Sequence, residues 1–220
     1  MKYEIYNLFS KTIYINILED ISDEELLKIK NYIENLSYSS TSYDVTEKKH
    51  TKQLYTSSSL SKSILNNTEL FFLKKRIMLE FNYFKNNILK YENNEFSYTT
   101  SWIAKSTKNQ SSEYHNHNNC MFSGIFYVNT EENCGELCFE NFSDKRFNLK
   151  PSEYNIYNCL NFNFKPKNKM IIFFPSEMYH KILKNNSDIA RYSIAFNLIP
   201  TGNIGSPTSD SFLKLEINND

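Results

Sequence analysis

From about residue 96 the chain becomes a succession of short β-type runs, and this texture constrains the fold more than any other feature. Segments 96–105, 121–128, 136–139, 155–157, 170–174, 180–183 and 192–198 are rich in aromatic and β-branched residues, with turn chemistry between them. Several short strands at such spacing predict a sandwich or jelly roll. Pro175 marks the end of the run Ile171-Ile172-Phe173-Phe174, because proline has no N–H to give to a central ladder.

The preceding third predicts supporting structure. Residues 6–9 and 13–17 read as strands around a turn near Ser10. Ser22-Asp23-Glu24-Glu25 is a capping box, opening a helix with Leu26, Ile29, Ile33 and Leu36 on one stripe. Residues 37–66 are polar and aperiodic and are expected to form a long surface loop, with His50 in solvent. A second helix is expected over 69–90, capped by Asn66 or Asn67. Its stripe of Leu73, Ile77, Phe81, Phe84 and Ile88 would face a sheet, with Arg76 on the polar side. The tail after Pro200 reads as coil, with 212–215 docking back. The expectation is one mainly β domain over residues 1–220, with flanking α-helices. Strands and supporting helices fill 1–95, the β core 96–200 and a tail 201–220.

Charge narrows the partners. The chain carries 25 basic and 25 acidic side chains. A neutral balance argues against nucleic-acid binding, which needs a basic surface to displace counterions. No run approaches the roughly 18 apolar residues of a membrane span, and the N-terminus has no signal-peptide core. A cytoplasmic protein with no membrane partner is expected. Cys120, Cys134, Cys138 and Cys159 are too sparse for a disulfide scaffold and are expected to be reduced. The pair Cys134 and Cys138 lacks a second cysteine pair at zinc-finger spacing.

Lysine supplies nearly all the positive charge, so the three arginines and four histidines stand out. Arg76, Arg146 and His50 have ordinary surface or structural readings. His115-Asn116-His117 is different. On a strand, side chains at i and i+2 share a face, so both imidazoles could address one metal ion. His180 follows 63 residues later, and Arg191 stands 11 residues beyond it. Two adjacent ligands and one distant ligand on a β scaffold suit non-heme iron, whose facial triad leaves positions open for substrate and oxygen. A guanidinium grips a carboxylate through two parallel hydrogen bonds, and Ser193 would share its face.

These residues resemble the Fe(II)/2-oxoglutarate dioxygenase superfamily, within a group found in marine bacteria and their phages. The likeness runs from Ser101 to about Pro200. It includes H-x-H-x-N at His115-Asn116-His117-Asn118-Asn119 and the strand Ser123-Gly124-Ile125-Phe126-Tyr127-Val128. It continues with Gly135-Glu136-Leu137-Cys138-Phe139 and with Phe174-Pro175-Ser176 leading to His180. It ends in Arg191-Tyr192-Ser193-Ile194-Ala195-Phe196-Asn197. The resemblance implies a double-stranded β-helix that binds Fe(II), 2-oxoglutarate and O2, with ascorbate as an accessory reductant. It implies iron on His115 and His180, and 2-oxoglutarate on Arg191 with Ser193 and Tyr127. It implies hydroxylation of a peptide side chain or small metabolite, with release of succinate and CO2.

The superfamily usually has a carboxylate where His117 stands. Either His115, His117 and His180 form a three-histidine face, or His117 is the first ligand, with Asn119 in the acidic position and water completing the shell. A cupin-type metalloprotein shares the jelly roll and the H-x-H pair. It expects a glutamate four or five residues later, where this chain has Met121 and Phe122. A non-catalytic jelly-roll binding or assembly protein with a degenerate metal site is a further reading. Trp102 and the loops 37–66 and 107–114 are candidates for walls or lids of the site. Phosphate-binding glycine loops and a serine-nucleophile elbow are absent.

Overall fold

The computed structural model describes residues 2–6, 8–40, 43–44, 49–50, 56–91, 94–141 and 149–217. In chain order the elements are β1 (Tyr14–Ile17), α1 (Asp23–Glu34), β2 (Tyr38–Ser40), β3 (Tyr43–Asp44), β4 (Lys49–His50) and β5 (Ser57–Ser59). Two 3-10 turns, Ile64–Asn66 and Thr68–Leu70, lead into α2 (Phe71–Tyr83) and a π-helical end, Phe84–Leu89. Then follow β6 (Glu95–Ser106), β7 (Phe122–Asn129), β8 (Leu137–Glu140), β9 (Asn161–Phe164) and β10 (Met170–Pro175). β11 (His180–Ile182), β12 (Arg191–Ile204) and β13 (Leu213–Leu215) complete the series.

Two antiparallel sheets make the jelly roll. The larger runs β1-β10-β7-β12-β6-β5-β2, with β13 on the far end of β12. The smaller runs β11-β8-β9, and a backbone bridge between His115 and His180 extends it. β3 and β4 form a separate pair.

The central strands are buried on both faces, so they read as continuous apolar runs rather than alternating ones. Alternation still sorts their side chains. Phe122, Phe126 and Val128 of β7, Ile171 and Phe173 of β10, and Tyr192, Ile194, Phe196 and Leu198 of β12 join the core under the helices. Ile125, Tyr127, Met170, Ile172 and Phe174 point the other way, where they meet Leu137 and Phe139 of the smaller sheet. Phe81 and Phe84 of the second helical segment seal the first core, with ring centroids 5.0–6.1 Å from those of Phe96, Phe122 and Phe173 that they meet. Each such ring is worth roughly 1.5–3 kcal/mol of burial. Gly124 is required here: a Cβ would sit 2.3 Å from the ring of Phe196.

α1 starts as the capping box predicts. Ser22 Oγ accepts from the Glu25 N–H at 3.2 Å, and the Glu25 carboxylate accepts from the Ser22 N–H at 2.8 Å. Asn67 caps the 3-10 turn Thr68–Leu70 ahead of α2, accepting from the Glu69 N–H, whereas α2 itself begins after Leu70 without a side-chain cap. Arg76 pairs with Asp20 and Glu80 and has the expected structural role.

Several expectations need correction. The strand expected over residues 6–9 is not found at its described residues: Tyr6 lies outside regular structure and residues 8–9 form a turn. Ile88 is 53% exposed, because the π-helical turn changes the period of the stripe at its end. The 37–66 segment is not all loop, since β2 and β5 extend the larger sheet beyond β6. Residues 155–157 are not a strand; the pairing there begins at Asn161. β12 runs past Pro200 to Ile204, where β13 pairs with it. His50 is part of β4, its side chain lies outside what is described, and Arg146 lies outside the described residues. Among the described residues, no helix is long and apolar enough to cross a membrane.

Candidate metal centre

His115, His117 and His180 meet at one point. One ring nitrogen of each lies within 4.8 Å of the others. Ring centroids are 4.4 Å apart for His115 and His180, 5.1 Å for His117 and His180, and 5.3 Å for His115 and His117. The fold explains the meeting. The bridge between His115 and His180 makes the loop before β7 a strand neighbour of β11, with reciprocal backbone bonds of 2.9 and 3.0 Å. The His117 N–H reaches Ser176 O, just after β10, at 2.9 Å.

All three rings are held through Nδ1. That nitrogen bonds Glu113 O at 2.9 Å in His115 and Met178 O at 2.9 Å in His180. In His117 it bonds Asn197 Oδ1 at 2.7 Å and Ser123 Oγ at 2.9 Å. A carbonyl oxygen only accepts, so Nδ1 carries a proton, and in the neutral form of each ring Nε2 keeps the free lone pair. Orientation of a ligating imidazole by its other nitrogen is the usual second layer of a metal site. Burial pushes His180 down to about 3, with His115 adding to the shift. Burial also lowers His117, opposed by Asn197 and reinforced by His115. Both are therefore neutral at pH 7, the form that binds a metal.

A cavity of about 620 Å³ opens onto the three rings. Trp102 lines it, 5.5 Å from His117 between ring centroids. Thr56, Ser57, Ser58 and Lys62 line it from the expected 37–66 wall, and Ser112 from the 107–114 loop.

Arg191 lies on the same face of β12 as Ser193 and Ala195, which line the cavity, and Asn197, which holds His117. Its side chain is fully buried. Nη1 donates to Gly135 O at 2.9 Å, while Nε and Nη2 have no partner among the described residues. No carboxylate pairs with it among those residues. A buried cation with two unused donors is costly unless an anion completes it. Tyr127 sits opposite Ser193 on β7 and is fully enclosed. Burial pushes its phenol up to about 12, against the pull of Arg191, so it keeps its proton at pH 7.

The structure thus brings His115, His117 and His180 together, and sets Ser193 on the cavity wall. Asn119 is not with them: it is exposed, in a left-handed turn at φ 59°, and is not among the cavity-lining residues. The four cysteines are free thiols, and the three histidines are the metal-compatible cluster among the described residues. Ser123, Ser176, Thr100 and Asn197 carry no role in the sequence motifs alone; period-two spacing from Arg191 through Ser193 is the signal that reaches Asn197.

Comparison with known proteins follows the same lines. Residues 100–197, from Thr100 to Asn197, match the family model described as "Putative 2OG-Fe(II) oxygenase". Over this segment the chain is similar to the 2OG-Fe(II) oxygenase family. Iron(II) and 2-oxoglutarate are the cofactors of these oxygenases, and the histidine cluster offers the iron three nitrogen ligands. No curated protein matches the chain. Solved structures share the oxygenase fold at low identity. An oxidoreductase of the 2OG-Fe(II) oxygenase family from Burkholderia pseudomallei is 11% identical at a TM-score of 0.59, over 85% of this chain and 84% of that one. A prolyl hydroxylase from Trichoplax adhaerens, in complex with a hypoxia inducible factor peptide, is 14% identical at 0.58, over 86% and 83%. HygX from Streptomyces hygroscopicus, with nickel, 2-oxoglutarate and hygromycin B bound, is 11% identical at 0.56, over 87% and 84%.

Proposed function

We propose that this oxygenase hydroxylates a C–H bond of a peptide side chain or small metabolite, using His115, His117 and His180 for iron and Arg191, Ser193 and Tyr127 for 2-oxoglutarate. The observation that carries this reading is the Arg191 guanidinium: buried, charged, with two nitrogens unpartnered among the described residues, on the strand face that also carries the support of His117. A dicarboxylate with one end on the metal would give those donors their acceptor. The residues present therefore fit both groups. When bound, iron(II) and 2-oxoglutarate supply oxygen activation, with 2-oxoglutarate released as succinate and CO2.

The chain's own residues do the remaining work. The three imidazoles turn their Nε2 atoms to one point and leave the cavity side open. Arg191 fixes the far carboxylate through charge-assisted hydrogen bonds. The Tyr127 phenol and Ser193 hydroxyl add neutral donors without adding charge. Ile125, Leu137 and Ala195 give the inner wall an apolar surface that limits water beside the reacting atoms. Peptide and small-molecule substrates are both kept in the proposal, since one similar fold holds a peptide and another holds hygromycin B.

The test is turnover. Purified protein with Fe(II), ascorbate and O2 is expected to convert 2-oxoglutarate to succinate, slowly in the absence of substrate. Mn(II) with an oxalyl-type 2-oxoglutarate mimic is expected to raise the melting temperature. Absence of both effects would overturn the proposal.

A further inference from the structure

His115 and His180 are oriented by backbone carbonyls, each two residues earlier in the chain. His117 alone is oriented by side chains. Its Nδ1 meets Asn197 Oδ1 at 2.7 Å. Asn197 Oδ1 also accepts from Ser123 Oγ at 2.8 Å, and Asn197 Nδ2 donates to Thr100 Oγ1 at 3.0 Å. Ser123 and Ser176 lie 2.9 Å apart, Oγ to Oγ, and both are fully buried.

The direction of each bond follows from counting protons. Ser123 has one hydroxyl proton, and it goes to Asn197. Ser176 must then be the donor to Ser123. With the Asn197 oxygen facing inward, the serine pair donates toward it. An inward oxygen requires a proton on His117 Nδ1, which leaves Nε2 as the lone pair. The outward amide nitrogen makes Thr100 an acceptor. The Thr100 hydroxyl proton has no acceptor among the described residues, and Thr100 lines the cavity. Turning the amide over would reverse the chain. Nδ2 would donate to Nδ1, the proton would move to Nε2, and that ligand position would be closed.

We infer that Asn197 is a positioning residue, backed by the Ser176–Ser123 pair, that holds His117 in the metal-binding tautomer and ties that ligand to Thr100 on the cavity wall. The inference rests on the proposed function in taking His117 as a metal ligand. It accounts for the departure from a carboxylate at this position: a neutral ligand with two possible tautomers needs a neighbour that chooses between them, and a carboxylate does not.

The experiment pairs histidine 15N NMR of the metal-free full chain with Co(II) titration. Wild-type His117 is expected as the Nδ1–H tautomer. Asn197→Leu is expected to shift it toward Nε2–H and to weaken Co(II) binding about 10–100-fold. Asn197→Asp keeps the acceptor oxygen and is expected to restore most of the affinity. Ser123→Ala removes the hydroxyl that supports both the Asn197 oxygen and His117 Nδ1 and is expected to weaken Co(II) binding by a smaller factor. Wild-type His117 found as Nε2–H would overturn the inference. So would a folded Asn197→Leu protein with unchanged Co(II) affinity. If Asn197→Leu does not fold, unchanged affinity in Ser123→Ala overturns it. Wild-type protein with the Nδ1–H tautomer but no Co(II) binding would bear out the tautomer control and overturn the metal reading instead.

Discussion

The residues that matter most are those whose burial makes no sense for stability alone. Arg191 is fully enclosed with two guanidinium nitrogens unpartnered among the described residues. An unsatisfied buried polar group costs about 1–3 kcal/mol. Arg191→Met is therefore expected to leave the melting temperature of the apoprotein unchanged or raised, while removing stabilisation by Mn(II) with 2-oxoglutarate. A loss of more than about 3 kcal/mol would instead show an essential structural pairing. His180 makes a parallel case. Burial lowers its folded pKa to about 3, against about 6.5 for an unperturbed imidazole. The unfolded chain takes the proton first, so acid favours unfolding. The contribution is whole above about pH 6.5 and is lost as pH falls toward about 3. Urea titrations of apoprotein between pH 7 and 4 are expected to show a falling midpoint. His180→Leu is expected to flatten that slope, and an equal slope in both proteins would contradict the assignment.

At the scale of elements, β12 carries most of the site. Of its odd positions, Ser193 and Ala195 line the cavity, Asn197 holds His117 and Arg191 is buried against Gly135, while its even positions, Tyr192 to Leu198, fill the core beneath the helices. That division was legible in the sequence because period two is a direct consequence of the pleat. The turn before β8 was legible only as a glycine. Gly135 has φ +89°, a Cβ there would sit 2.2 Å from Leu183 O, and its own carbonyl anchors Arg191. Gly135→Ala is expected to raise the 2-oxoglutarate KM more than it lowers kcat, because it displaces the anchor and not the metal ligands. Equal 2-oxoglutarate KM values would contradict that role. Elements that depend on distant partners were not legible. β9 and the outer strands β2 and β5 are short and polar, and they exist because β8 and β6 offer them free edges. The 155–157 run had the right residues but no partner, so it turned instead.

For the whole molecule, one core joins residues from Leu18 to Leu198, linking both helices to the larger sheet. A single cooperative unfolding transition is expected by calorimetry, and two separated transitions would contradict a single domain over the chain. The jelly roll and the histidine cluster followed from the sequence because strand texture and scarce residue types carry them. The tautomer control did not follow, because Asn197, Ser123 and Thr100 are common residue types whose role exists only where three strands bring them together. The central claim is that three histidines and one buried arginine form a single site for metal and 2-oxoglutarate. Anaerobic calorimetric titration of 2-oxoglutarate into Mn(II)-loaded protein tests it most directly. One equivalent is expected to bind, with binding lost when the metal is omitted, in His180→Ala and in Arg191→Met. Binding that persists without metal, or that is unchanged in Arg191→Met, would contradict it.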